Sequence, residues 1–169
     1  MPSTFYYQSP LGDIEISADD YNILVSVMFV ESLKKQSPKL PATPYISPEI
    51  EKCVLQFDEY FAGTRTVFNL RFKHEGSDFQ KKVWQELCNI PLGKTVSYLE
   101  LSKRIGNVKA IRAVGTTNGN NKISIVVPCH RVIGADGSLV GYGGDLWRKK
   151  WLLEHEQKMC GIPQQMPIF

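Results

Sequence analysis

The sequence predicts an α/β (α+β) chain in which an antiparallel sheet with one helix is followed by a mostly helical region containing a helix-turn-helix. Three observations carry this. Residues 4–30 alternate apolar and polar side chains over short segments broken by turns. Two longer stretches repeat apolar residues at helical spacing behind capping residues. Two short helical patterns are separated by Gly106-Asn107 in the more basic half of the chain. At 169 residues, with 43% hydrophobic and 22% charged composition, the chain is long enough to bury a core without staples. No apolar run approaches the roughly 20 residues that span a bilayer. The first residues, MPSTFYYQSPLG, have neither a basic start nor an apolar stretch, so no secretory signal is read and a cytoplasmic protein is expected.

Within residues 4–30, Ser9-Pro10-Leu11-Gly12-Asp13 and Ala18-Asp19-Asp20 mark turns between two or three strands. A surface connection through Gln36-Ser37-Pro38 and Pro41 to Pro44 follows. Ser47-Pro48-Glu49 opens a helix with a capping hydroxyl, a proline and an early acid, and Ile50, Val54, Phe57 and Phe61 form its apolar face before Gly63. A further strand is expected over Val67–Phe72. Residues 73–77 are polar and coincide with a change in charge, which places a domain boundary between residues 76 and 77 and gives domains 1–76 and 77–169. Residues 1–77 carry 7 Lys and Arg against 10 Asp and Glu, whereas residues 78–169 carry 13 against 7. A basic half suits an anionic partner or a solvated lysine face equally well.

Ser77 to Gln80 has capping-box spacing, followed by Phe79, Val83, Trp84 and Leu87 on one helical face. Ser97 to Glu100 repeats the box, Leu99, Leu101 and Ile105 supply apolar positions, and a second helix runs from Val108 to about Asn118. That second helix presents Lys109, Ala110, Arg112, Ala113 and Gly115, small residues around one projecting arginine. Ile123–Val127 is β-branched and reads as a short buried strand that Pro128 stops, leaving Cys129 and His130 just past a rigid element. Gly134-Ala135-Asp136-Gly137 is a turn, and residues 140–144 form a glycine-rich loop around Tyr142. Asp145 then caps a last helix expected to point Trp147, Trp151, Leu152 and Leu153 inward and Arg148, Lys149 and Lys150 outward.

The four cysteines lie far apart with no C-x-x-C pair, against a zinc site or redox dithiol. Cys53 and Cys88 fall in amphipathic helical patterns and read as inert core thiols. Cys129 alone reads either as a buried inert thiol or as a nucleophile. A nucleophilic cysteine needs a base, best held by a third group, and Cys129, His130 and Glu156 are the three types. Adjacent residues do not face one another, so Cys129 and His130 would share a proton through a relay. Glu156 stands late in a helix, where the dipole disfavours an acid, which hints at a role elsewhere.

Pro128-Cys129-His130-Arg131-Val132 resembles the active-site signature of the O6-alkylguanine-DNA alkyltransferases. The likeness is close over residues 77 to 157. It takes in Ser97-Tyr98, Arg112-Ala113-Val114-Gly115, Asn118-Gly119-Asn120-Asn121, Tyr142-Gly143-Gly144 and Trp151 through Glu156. It is weaker over residues 1 to 76, mainly through Ser9-Pro10-Leu11-Gly12. The resemblance implies a ribonuclease-H-like first domain and a winged-helix-like second one. It also implies irreversible, single-turnover transfer of the alkyl group from O6-alkylguanine in DNA, and from O4-alkylthymine as a further lesion, to Cys129.

By the same likeness Glu156 orients His130, which deprotonates Cys129 through a water, and Tyr98 helps protonate the departing base. Arg112 enters the duplex in place of the flipped nucleotide, with Lys109, Ala110 and Ala113 on a recognition helix in the minor groove. Asn121 holds the turn, while Val132, Tyr142, Gly143 and Gly144 line the base pocket. The implied partner is double-stranded DNA bound by a monomer, with no cofactor, no membrane and no metal. For zinc, residues 1–77 offer only Cys53 and His74. Val108, Lys122 and Ile111 depart from the family's common proline, proline and alanine, and Ile111 would crowd a minor-groove contact. Two rival readings are a non-catalytic sensor of alkylated bases, whose relatives carry tryptophan at the cysteine position, and a DNA-binding regulator that responds to alkylation of Cys129.

Overall fold

The computed structural model describes residues 1–32, 40–140, 142 and 145–161. Two compact units emerge, one formed by Met1–His74 with Lys122–Val126 and the other by Glu75–Asn121 with the chain from Val127 onward. Residues 122–126 thus lie with the first unit, an excursion that a single cut after residue 76 does not describe. The Gln36-Ser37-Pro38 segment, Gly143 and Gly144 lie outside the described residues.

In the first unit, β1 (Ser3–Ser9), β2 (Gly12–Ala18) and β3 (Leu24–Phe29) form an antiparallel sheet in that order. The β1–β2 turn closes where Ser9 pairs with Gly12, whose φ of 106° only glycine adopts without strain. Helix α1 (Pro48–Phe61) starts as read: Ser47 Oγ accepts from the Ile50 N–H at 3.4 Å and proline fills the first turn. Its inner face buries Ile50, Cys53, Phe57 and Tyr60, and the Phe57 ring lies 5.5 Å from that of Tyr7 in β1.

The strand expected over Val67–Phe72 does not form, and only Phe72 makes an isolated bridge to Leu24. Side chains of α1 take the backbone groups that a strand partner would otherwise hold. Gln56 accepts from Asn69 N–H at 2.9 Å and donates to its carbonyl at 3.0 Å, and Glu49 accepts from Arg71 N–H at 2.6 Å. A side-chain amide satisfies the backbone as a ladder does, and alternation alone does not reveal such a substitute.

Cys53 is a packed core thiol, and burial, with a smaller push from Glu49, raises its pKa to about 12. It is therefore expected to resist iodoacetamide at neutral pH in the native protein while exposed Cys88 and Cys160 react, as peptide mass mapping would show. Cys88 corrects the expectation of a core thiol: it is the exposed C-cap of α2, where the amphipathic pattern has run out.

In the second unit, α2 (Asp78–Leu87) carries the full reciprocal capping box between Ser77 and Gln80. Its Trp84 donates from Nε1 to the Thr117 carbonyl of α4 (Ile111–Gly119) at 2.9 Å, fixing the two helices against each other. Helix α3 (Tyr98–Arg104) begins at Ser97, whose Oγ accepts from the Glu100 N–H at 3.0 Å. Gly106, at φ +81°, makes the turn of the helix-turn-helix, and one 3-10 turn over Val108–Ala110 leads into α4. Strand β4 (Val96–Ser97) pairs in parallel with β5 (Val132–Ile133), so the start of α3 is tied to residues just past Cys129.

Two expectations fail near the centre of interest. Ile123–Val127 is not a regular strand. Val27 N–H donates to the Lys122 carbonyl and Ser124 N–H to the Val27 carbonyl, both at 2.8 Å, and the pairing then ends. The chain turns there, with Val126 N–H bonded to the Ser124 carbonyl at 2.8 Å and Ile125 at φ +71°, an uncommon conformation for a β-branched residue. Helix α5 (Leu146–Met159) also presents a different face from the one expected. Arg148 is 5% exposed and Lys149 0%, whereas Trp147 is 54% exposed beneath the Arg148 guanidinium at 4.5 Å. Leu152 and Leu153 do point inward. Asp145 stands at the cap without a capping hydrogen bond; its carboxylate accepts from Arg148 at 3.2 Å instead. Partnered buried charges satisfy the interior as apolar groups do, so hydrophobic periodicity misplaces this face.

Candidate active site

Cys129 sits in a single 3-10 turn, Cys129–Arg131, because Pro128 lacks an N–H to continue a ladder and its carbonyl accepts from Arg131 N–H at 3.0 Å. Two asparagines from the end of α4 hold this turn. Asn121 Nδ2 donates to the Val127 carbonyl at 2.8 Å, and Asn118 Nδ2 donates to the Cys129 carbonyl at 3.2 Å. Asn118 was not among the expected site residues. Its place in the Asn118-Gly119-Asn120-Asn121 stretch that ends α4 is the available signal.

The thiol is nearly enclosed, with Cys129 5% exposed, and His130 beside it is wholly buried. His130 Nε2 lies 2.7 Å from Glu156 Oε2, while Arg131 reaches the same carboxylate through Nε at 2.7 Å and a terminal nitrogen at 3.1 Å. The remaining Arg131 nitrogen donates to the Ile90 carbonyl at 2.6 Å. Burial alone would raise the Glu156 pKa; His130 and Arg131 outweigh it and hold the carboxyl well below its usual range. Burial lowers the His130 pKa, and Arg131 and Lys149 add to that while Glu156 opposes it. A neutral His130 still donates its hydrogen bond to Glu156, and the permanently charged guanidinium supplies the charge, so both keep the acid ionised. An ionised carboxylate only accepts, so Nε2 carries the imidazole proton and Nδ1 is left as a bare acceptor. That Nδ1 makes no hydrogen bond among the described residues. In this tautomer Nδ1 is the ring atom able to take up a proton.

Tyr98, the first residue of α3, donates its hydroxyl to the Val140 carbonyl at 2.9 Å. Burial, then the charge of Cys129, raises its pKa to about 12, so the phenol stays protonated. Tyr142 is buried with its hydroxyl unpartnered among the described residues, and burial followed by Cys129 drives its pKa far up. Val132 is buried in β5. Cys129, His130, Glu156, Tyr98, Tyr142, Val132 and Asn121 thus share the second unit. Arg112, Lys109 and Ala113 are exposed along the helix-turn-helix and Ala110 is half-buried. Among the described residues no cluster of three or more candidate ligands could hold a metal.

The family profile described as 6-O-methylguanine DNA methyltransferase, DNA binding domain, matches residues 78–158, and the ribonuclease-like domain of the same family matches residues 4–74. The chain belongs to the 6-O-methylguanine DNA methyltransferase family. Among its relatives is the methylated-DNA--protein-cysteine methyltransferase of Mycobacterium bovis, 39% identical over 164 residues, covering 95% of this chain and 94% of the relative. The protein of that name in Methanosarcina acetivorans is 42% identical over 151 residues, covering 89% and 95%. A crystal structure of Mycobacterium tuberculosis OGT in complex with DNA superposes with a TM-score of 0.79 at 39% identity, covering 99% of this chain and 98% of that one. The mixed α/β architecture is the one expected. Beyond the residues anticipated for the family's active site, the structure adds Arg131 and Asn118, one gripping the acid and the other the cysteine carbonyl.

Proposed function

We propose that this protein repairs DNA by direct reversal, moving the alkyl group from O6 of guanine to its own Cys129, once per molecule. The observation that carries the reading is the buried His130, next in the chain to Cys129, whose Nε2 is tied to Glu156 so that Nδ1 is left as a bare acceptor. His130 takes the thiol proton through a bridging water. The thiolate sulfur attacks the O6-alkyl carbon, so a C–S bond forms as the C–O6 bond breaks, and the electron pair leaves on guanine. The base leaves as its anion, supported by a hydrogen bond from Tyr98, and takes up one proton from water, while His130 releases the thiol proton to water. The high Tyr98 pKa suits this, because the phenol reaches the base still carrying its hydrogen. Its hydroxyl must first turn away from the Val140 carbonyl. The thioether product explains single turnover, since nothing in this chemistry regenerates the thiol.

The names of the relatives favour this reading over a non-catalytic sensor. Incubating the protein with a duplex containing O6-methylguanine should add one methyl mass to the peptide holding Cys129; an unmodified peptide after lesion binding would overturn the proposal.

DNA would lie along α4 in the minor groove with the damaged nucleotide flipped out, because an O6 substituent is inaccessible in the stack. The helix offers Arg112 as the inserting side chain among Lys109, Ala110 and Ala113. Ile111 and Val108 are exposed there too, at 38% and 51%. Arg112→Ala should slow transfer from the duplex by about 10-fold or more while leaving reaction with the free alkylated base unchanged; stopped-quench assays on both substrates check this. Among the described residues no helix is long and apolar enough to cross a membrane. The four cysteines form no disulfide, which suits a reducing, cytoplasmic compartment.

A further inference from the structure

Lys149 has no part in the transfer as described, yet among the described residues it is the largest fully buried charged side chain, and it belongs to the same helix as Glu156. Lysine is almost never fully buried without partners to hold it. Its Nζ donates to the Val140 carbonyl at 2.8 Å, the oxygen that also accepts the Tyr98 hydroxyl at 2.9 Å. A carbonyl oxygen has two lone pairs, so it can serve both donors at once. The ammonium lies 5.9 Å from the centre of the Tyr98 ring. Residues seven apart on a helix differ by only about 20° in direction, so Lys149 and Glu156 leave α5 on one face, two turns apart.

We propose that Lys149 is a positioning residue for the alkyl transfer. It fixes the Val140 carbonyl and with it the resting place of Tyr98, from which the hydroxyl turns to the base, while Glu156 fixes the imidazole at the other end of the same helix face. The inference rests on the alkyl-transfer reading and assigns that site a second anchor. Helix α5 then acts as a bar carrying an anion and a cation at a set separation, with Cys129 served from both ends. The charge of Lys149 has a second consequence. The charged groups around His130 are Glu156 and Lys149 from α5 and Arg131 from its own turn, and both cations disfavour its protonation while the acid opposes them. Lys149 therefore helps keep the base unprotonated as the pH falls.

The test measures transfer from an O6-methylguanine duplex to Cys129 across pH for the full chain and for Lys149→Met and Lys149→Gln. Lys149→Met should still reach one methyl per molecule, but at a rate about 10- to 100-fold lower, as expected for a misplaced catalytic partner. Its acid limb should move to higher pH, because His130 accepts a proton more readily without that cation. Lys149→Gln keeps a donor for the Val140 carbonyl without the charge, so it should recover much of the rate at high pH and keep the displaced limb. An unaltered rate and profile in Lys149→Met would overturn the inference, as would uniform slowing with an unmoved limb, which denotes packing alone. If Lys149→Met loses its native circular dichroism, the limb of Lys149→Gln decides; collapse of both variants assigns Lys149 a purely structural role and also overturns the inference. Absence of transfer by the unaltered protein would instead defeat the alkyl-transfer reading itself.

Discussion

Cys129→Ala should abolish alkyl transfer completely and leave DNA binding intact. The turn that presents the thiol is held by main-chain groups: Cys129 N–H donates to the Val127 carbonyl at 2.8 Å, and the Cys129 carbonyl accepts from Asn118. None of these bonds needs the sulfur. Losing one buried atom leaves a small cavity, and a cost of about 1 kcal/mol is the most that packing predicts. The exposed helix-turn-helix is untouched. Gel-shift titration with lesion DNA should therefore match the parent protein, while mass mapping finds no methyl on any peptide. A methyl appearing on Cys88 or Cys160 in this variant would show that the assignment of the acceptor is wrong.

Glu156→Gln should be the most damaging substitution at the site that leaves the thiol in place. The amide removes the charge that balances Arg131, leaving a buried guanidinium uncompensated, and breaking one side of a buried pair typically costs about 3–5 kcal/mol. It also frees the imidazole to reverse its tautomer, so that Nδ1 no longer presents a lone pair. Thermal unfolding should fall markedly and transfer should slow even at temperatures where the variant is folded. Normal stability together with slow transfer would confine Glu156 to catalysis.

The parent protein's stability should also follow the two groups' opposite charges with one sign. Glu156 is held below its ordinary value, so its contribution is present above the usual carboxylate range and lost as pH falls through its folded value. His130 is held below its ordinary 6.5, so the unfolded chain binds that proton first and stability begins to decline as pH drops below about 6.5. Denaturant titrations from pH 8 to pH 4 should therefore show a decline that starts near the histidine value and steepens in the carboxylate range. In Glu156→Gln the steep lower part should be reduced.

Local chemistry made much of this legible. Ser47, Ser77 and Ser97 each announced a helix because a capping hydroxyl acts within four residues, and Gly12 and Gly106 announced turns for the same reason of short range. The turn at Cys129 stands out in the sequence because Pro128-Cys129-His130 is contiguous. What escaped were partnerships made across long separations. Gln56 and Glu49 replaced a strand over residues 67–72, and no periodic pattern records a helix side chain standing in for a neighbouring strand. Arg148 and Lys149 were expected outward because their charge usually goes there, whereas Asp145 and the Val140 carbonyl made the interior hospitable to them. Arg131 lay within the motif itself, yet its grip on Glu156, 25 positions away, is visible only in three dimensions.

The five-residue excursion of Lys122–Val126 also bears on how the chain comes off the ribosome. The three strands of the first sheet are made within the first 29 residues, but the partner of Val27 at the open side of β3 is residues 122 and 124. At about 5–20 residues per second, synthesis of the intervening segment takes roughly 5–20 s. During that interval Val27, wholly buried in the finished protein, has only water for the backbone donor and acceptor that residues 122 and 124 later meet. The nascent sheet therefore passes through a stage with one incomplete edge, the kind of surface that chaperones bind and that aggregation exploits.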